Sequence, residues 1–257
     1  VLKVRVIPTL LWKNLGLVKG TGFDSWRRVG PVLPAIKVYN QREVDELVLL
    51  DIVAHDTGDG PDLESVQDFA DDCFVPLTVG GGITRVDQVQ PLLRAGADKV
   101  AVNTAAHADP GLVTEIARRH GSQCVVASID ARSSGPGTWQ CFSHAGRTDT
   151  GREVLAWARE LEDRGAGEIL LTSIDRDGTM QGYDLALVAR VAHAVRIPVI
   201  ASGGAGCYQH MVDAVLQADA SAVAAAAMFH FTEQTPAGAK AAMAAAGIPV
   251  RAGFIPA

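Results

Sequence analysis

Two glycine clusters and one aspartate carry the clearest capacity for chemistry in this chain. Gly80-Gly81-Gly82 and Ser202-Gly203-Gly204-Ala205-Gly206 each close a short apolar run, PLTVGGG from Pro76 and PVIASGG from Pro198, at an offset of 122 (198 − 76). Glycines there let backbone N–H groups approach and wrap an anion. Asn103-Thr104 and Ala226-Ala227 end the two neighbouring runs, so the pattern reads as two phosphate sites, with tight loop-shaping glycines as the structural alternative. Asp130 ends another run with a carboxylate suited to general acid or base work, or to capping the next turn. Asp51, Asp175 and Asp177 end two further runs and make the same region acidic, while Lys19 lies in a loop from which it could reach a phosphate.

A second polar set sits at the opposite ends of the runs. Arg5, Glu46, Lys99 and Glu168 all lie at or near the start of an apolar segment, two bases against two acids. Read from the residues alone, they form a charge-balanced ring that serves stability.

Positioning these groups requires eight strands, and eight candidates can be counted: Val4 to Leu10, Leu47 to Ile52, Pro76 to Val79, Lys99 to Asn103, Cys124 to Ile129, Ile169 to Ile174, Val199 to Ala201, and Ala222 to Ala226. Helix-like stripes separate them, as in Val154, Trp157, Ala158, Leu161 and in Val188, Val191, Ala192, Val195. Eight alternations in a chain of 257 residues fit an α/β fold of the (β/α)8 barrel type, in which functional residues lie at the carboxyl ends of strands. The offset of 122 recurs between ELVLLDI at Glu46 and EILLTSID at Glu168, so the single domain, 1–257, reads as two half-barrels, about 1–120 and 121–257. RVIPTLL then aligns with CVVASID, placing Leu11 opposite Asp130. A Rossmann sheet is disfavoured because no GxGxxG follows the first strand.

Composition narrows the function classes. Hydrophobic residues make 48% of the chain and charged residues 20%, with a net charge of −6, as in a soluble globular protein. No apolar run reaches the ~18 residues of a membrane span and no signal-like start is seen, so a cytoplasmic protein without membrane contact is expected. The acidic balance and absence of a basic cluster argue against nucleic acid. Four scattered cysteines, Cys73, Cys124, Cys141 and Cys207, read as isolated buried thiols; neither a zinc site nor a cofactor is expected.

The segments RVIPTLLWKNLGLVKG, ADKVAVNTAA, GAGEILLTSIDRDGTMQGYD, IPVIASGGAG and GIPVRAGF together resemble the cyclase subunit of imidazole glycerol phosphate synthase, the histidine-pathway barrel, from about residue 2 to 253. The resemblance implies a glutaminase partner forming a heterodimer at the amino-terminal face of the barrel. Ammonia from that partner would pass a gate of Arg5, Glu46, Lys99 and Glu168, cross the interior and react at the top with a bisphosphorylated nucleotide. It further implies Asp98 at the partner interface, Gly82, Asn103 and Thr104 at one phosphate, Ser202, Gly203, Gly204, Ala226 and Ala227 at the other, Lys19 and Asp177 over the substrate, and Asp130 as one of two catalytic acids. Leu11 stands where the second acid is expected, Ala227 where a serine is usual, and Val53 and His55 where small hydroxyl residues are usual. The IPxLLxKNxGLVK start resembles a divergent branch associated with surface polysaccharide, which would hand ammonia to a third protein acting on an acetamido sugar. The expected function is therefore ammonia delivery to a phosphate-bearing or sugar acceptor. The alternatives are a working histidine-pathway cyclase and a non-catalytic scaffold that activates a glutaminase.

Overall fold

The computed structural model describes residues 2–13, 16–54 and 58–251. Eight strands run parallel and close on themselves: β1 (Arg5–Lys13), β4 (Leu47–Asp51), β5 (Leu77–Gly80), β6 (Lys99–Val102), β7 (Val125–Gly135), β10 (Glu168–Ser173), β11 (Val199–Ser202) and β12 (Ala222–Ala225). Closure is made where β12 pairs with β1 in the register Arg5 to Ala222 through Pro8 to Ala225. The architecture is a (β/α)8 barrel. No helix among the described residues is long and apolar enough to cross a membrane.

Helices cover the outside of the barrel, and their starts are set by local chemistry. Helix α2 (Leu63–Asp71) begins where the Asp62 carboxylate accepts from Ser65 N, α6 (Val154–Asp163) where Glu153 accepts from Ala156 N, and α7 (Leu185–Ala192) where Asp184 accepts from Leu187 N. The final helix, α10 (Pro236–Ala245), starts with Thr235 accepting from Gly238 N and proline at its first position. The α6 stripe is buried in full, while in α7 Val188 and Val191 are buried, Ala192 is partly exposed and Val195 packs just beyond the end of the helix. Helices α1 (Val32–Gln41), α3 (Val89–Arg94), α4 (Thr104–Ala108), α5 (Gly111–His120), α8 (Tyr208–Leu216) and α9 (Ala227–Phe231) complete the described set.

Inside the barrel a separate cluster of Ile7, Val48, Ala101, Val126, Leu170, Ile200, Ala222 and Ala224 is buried to 4% exposure or less. Each belongs to the inward-facing alternate residues of its strand. These residues fill the middle of the barrel and leave the polar groups to its two ends.

Two antiparallel hairpins stand above the barrel and depart from the eight-strand expectation. One is β2 (Gly16–Thr21) with β3 (Asp24–Gly30), continuing from β1; the other is β8 (Thr138–Ser143) with β9 (Thr148–Glu153), continuing from β7. Strand β1 accordingly runs to Lys13 rather than Leu10, and β7 to Gly135 rather than Ile129. The thiols also differ from expectation: all four are unpaired, but only Cys141 is buried and Cys73, Cys124 and Cys207 are partly exposed.

The last helix is fastened to the barrel by a buried ion pair. Lys240 of α10 and Asp45, just before β4, are 5% and 7% exposed. The Lys240 ammonium donates to Glu43 O at 2.5 Å and to Asp45 Oδ1 at 3.3 Å, while Asp45 Oδ2 accepts from Val6 N at 2.9 Å. Removing one partner strands the other charge away from water. The substitution Asp45→Ala should cost about 3 kcal/mol in urea denaturation, and a change within error of wild type would show that this pair does not fasten α10.

Candidate functional site

At the carboxyl ends of the strands opens a cavity of about 440 Å³ whose walls combine strand ends with both hairpins. Leu11, Lys19, Gly82, Asn103, Thr104, Asp130, Asp177, Ser202, Gly203, Gly204, Ala226 and Ala227 all line it, so the structure brings together the residues singled out for the mouth. The glycine loops are shaped by contact as much as by conformation. Gly82 has φ +62°, and a Cβ there would meet Ala54 O at 2.4 Å; Gly204 has φ +109°, and a Cβ would meet Gly182 O at 2.2 Å. Asn103 and Ala226, at the ends of β6 and β12, adopt similar backbone angles, φ −134°, ψ −84° and φ −126°, ψ −68°. The two sides of the mouth are thus built alike.

Asp130 lies between them on β7, 9% exposed. Its Oδ2 accepts from Asn103 Nδ2 at 2.7 Å. Burial, together with the negative charge of Asp177, pushes its carboxyl up to about 7 against the smaller opposing effect of that hydrogen bond. A carboxyl tuned to neutrality can give or take a proton with little penalty either way.

Lys19 is better placed than a loop residue. It stands on β2, 3% exposed, with its ammonium 2.7 Å from both carboxylate oxygens of Asp177. The same hairpin is tied by Gly22 N donating to Asp177 O at 2.9 Å, and its Arg27 guanidinium lies 3.8 Å from the Phe231 ring centroid.

Several expectations for the mouth need correction. Asp51 lines the cavity, but its Oδ1 accepts from the backbone N–H groups of Val53 and Ala54, so it organises the turn after β4. Asp175 does not face the cavity: its Oδ2 accepts from Ser133 N at 2.8 Å, because the extended β7 reaches over to it. Val53 lines a separate cleft beside the mouth together with Lys13, Arg132 and Arg147, not the main cavity. His55 lies outside the described residues.

Further lining residues were not singled out from sequence. Thr9, Ser128 and Thr172 occupy inward positions of β1, β7 and β10, and Phe23, Trp26 and His144 come from the hairpins. Period-two spacing from Leu11 and Asp130 was the signal for Thr9 and Ser128. For the hairpin residues no comparable signal exists, since their approach to the mouth depends on how each hairpin folds over it.

At the amino-terminal end, Arg5, Glu46, Lys99 and Glu168 meet in one closed cycle. Arg5 donates to Glu46 at 2.5 Å and to Glu168 at 2.6 Å, while Lys99 donates to both Glu46 oxygens at 3.0 Å and also to Glu168. Thr78 Oγ1 donates to Glu46 Oε1 at 2.9 Å, adding a neutral donor to the set. Burial acts to raise the Glu168 carboxyl, but the hydrogen bonds and charges of Arg5 and Lys99 outweigh it and hold the group below the usual glutamate value. Ile7, Val48, Val126, Ile200 and Ala222 separate this ring from the cavity, which descends as far as Ala101, Ser128, Leu170 and Ala224. Asp98 lies exposed beside the ring, just before β6, with Oδ2 accepting from Leu77 N at 2.8 Å.

Comparison with known proteins places this geometry. The family described as histidine biosynthesis protein matches residues 5–235. The chain is 52% identical over 250 residues to the imidazole glycerol phosphate synthase subunit HisF of Hyphomonas neptunium, covering 97% of this chain and 99% of that protein. It is 50% identical over 250 residues to the subunit of the same name from Gluconacetobacter diazotrophicus, covering 97% and 96%. With matches of this extent over a barrel whose mouth carries paired glycine loops, the chain belongs to the histidine biosynthesis protein family.

Proposed function

We propose that the chain is the cyclase subunit of an imidazole glycerol phosphate synthase, joining ammonia from a glutaminase to the bisphosphorylated nucleotide of that pathway. The observation that carries this reading is Asp130, buried between two glycine loops with its carboxyl near neutrality. The loops bind one phosphate each, through backbone N–H groups around Gly82 with Asn103 and Thr104, and around Gly203 and Gly204 with Ser202, Ala226 and Ala227. Their likeness across the mouth fits a single domain built from two related halves, about 1–120 and 121–257. Held at both ends, the nucleotide spans the cavity with its reacting centre beside Asp130.

Leu11 lines the cavity where a second acid would act, and a leucine has no proton to exchange. Asp130 therefore serves as acid in one step and base in the next, a sequence that its neutral-range carboxyl permits at lower rate than a pair. Asp177 holds Lys19 over the substrate and keeps the Asp130 carboxyl high. Ammonia enters from a glutaminase docked near Asp98, passes between Arg5, Glu46, Lys99 and Glu168 when Lys99 swings aside, and requires the apolar layer above to loosen.

A second reading rests on Leu11 itself: the barrel passes ammonia to another acceptor through a third protein, as in the surface-polysaccharide branch. The named relatives, both imidazole glycerol phosphate synthase subunits at half identity or more, support the histidine-pathway reading over it. The deciding experiment is turnover of the histidine-pathway nucleotide with ammonia in excess, followed by absorbance. Slow but measurable turnover, raised about 10²-fold by Leu11→Asp, is expected; none in either form favours the second reading.

Replacing Asp130 with Asn should remove that turnover by about 10²-fold or more. It should also change stability with a definite sign. Folding raises the carboxyl from its ordinary 3.8 to about 7, so the native state holds a proton that the unfolded chain has lost, and stability falls as pH rises between these values. Asp130→Asn should therefore stabilise the chain at pH 8 relative to wild type, with the gain vanishing near pH 4. An equal effect at both ends of this range would show that the Asp130 carboxyl is not displaced on folding.

For the ring, Lys99→Ala or Glu168→Gln should raise the ratio of glutamate formed to nucleotide aminated when a glutaminase supplies the nitrogen, while turnover with free ammonia is retained. A ratio unchanged in both variants would leave the ring with a purely structural role.

A further inference from the structure

The β8–β9 hairpin brings to the mouth an imidazole that the proposed mechanism leaves unused. His144 is exposed and is the one histidine among the described residues that line the main cavity. It sits in the hairpin turn with φ +52°, followed by Ala145 at φ +54°. Glycine or asparagine meets such a turn at lower cost, so the turn alone does not account for a histidine. Three contacts fix its place. Its backbone N donates to Thr104 Oγ1 at 3.0 Å, its carbonyl O accepts from Arg147 Nε at 2.9 Å, and its Nδ1 lies 2.9 Å from Ser143 Oγ. The first of these seats the residue against the Gly82, Asn103 and Thr104 side of the cavity rather than the Gly203 and Gly204 side.

The tautomer of the ring follows from Ser143. That side chain is 3% exposed, and His144 Nδ1 is the hydrogen-bond partner of its Oγ. A buried hydroxyl places its proton on the acceptor at hand, so Ser143 Oγ–H donates to Nδ1 and the neutral ring carries its own proton on Nε2. Thr104 is prepared in the same way, since its Oγ1 accepts from His144 N and its hydroxyl proton remains to be donated onward. We propose that His144 is a further phosphate-binding residue, whose Nε2–H donates to the phosphate held at Gly82, Asn103 and Thr104 and closes that site from the hairpin side. This inference rests on the proposed function. Ser143 acts through the ring, as the positioning residue that keeps Nε2 a donor.

The test compares three replacements with ammonium chloride as nitrogen source and no glutaminase. His144→Ala should raise the KM for nucleotide about fivefold, the effect of one net hydrogen bond, while the KM for ammonia stays as in wild type. His144→Gln, whose side-chain amide reaches the position of Nε2, should recover most of that loss. His144→Asn suits the left-handed turn better but falls short of the phosphate, and it should not recover the loss. Recovery by Asn and not by Gln would show that His144 serves the turn alone, and a nucleotide KM unchanged in His144→Ala overturns the proposal outright. Independently of turnover, crystals soaked in inorganic phosphate should show an ion at Gly82 and Thr104 within hydrogen-bond distance of His144 Nε2. An ion bound there without that contact, or no ion there at all, also overturns it. Failure of all turnover in wild type and in Leu11→Asp instead defeats the proposed function, leaving the phosphate soak to judge His144 alone.

Discussion

Closing eight parallel strands into a barrel forces every second residue of each strand into a shared interior, and the rest of this structure follows from how that interior is divided. The middle is filled by Ile7, Val48, Val126, Leu170 and Ile200 with alanines at positions 101, 222 and 224. Polar residues on the inward side are therefore displaced to the ends, where strand starts present one set and strand ends another. Arg5 and Ile7, then Thr9 and Leu11, show the gradation along a single strand, from ion to hydrocarbon to hydroxyl to cavity wall. No shift of register could preserve this order, since moving a strand by one residue would turn its inward set outward.

The amino-terminal ring is an expensive way to close a barrel. Four charged side chains, exposed by 26% for Arg5 and 1% for Glu46, give up hydration that their mutual contacts only partly restore. Hydrophobic residues of similar volume would close the same end at equal or better stability. Each cation in this cycle serves both acids, so the end is closed by polar contacts where hydrocarbon would serve as well.

Much of this was legible in the sequence. The barrel strands announce themselves because parallel strands buried on both faces become short apolar runs. The mouth residues were legible because each sits where its run ends. The hairpins were not: their strands carry mixed residues such as Asp24, Arg27 and Arg28, lacking the alternation that marks a half-buried strand. Asp175 and Val53 were misplaced for a related reason. A residue after a strand end can turn into the cavity or away from it, and the choice is made by partners such as Ser133 N, brought close only by the folded hairpin.

The pairing of Lys19 with Asp177 links the position of a whole hairpin to the acidity of a single side chain. Asp177 is part of what holds the Asp130 carboxyl high, and Lys19 stands against it at 2.7 Å. Gly22 N also donates to Asp177 O, so two contacts from one hairpin end on the residue that bears on Asp130. A single short segment after β10 thereby seats the hairpin and shapes the electrostatic surroundings of the carboxyl below it.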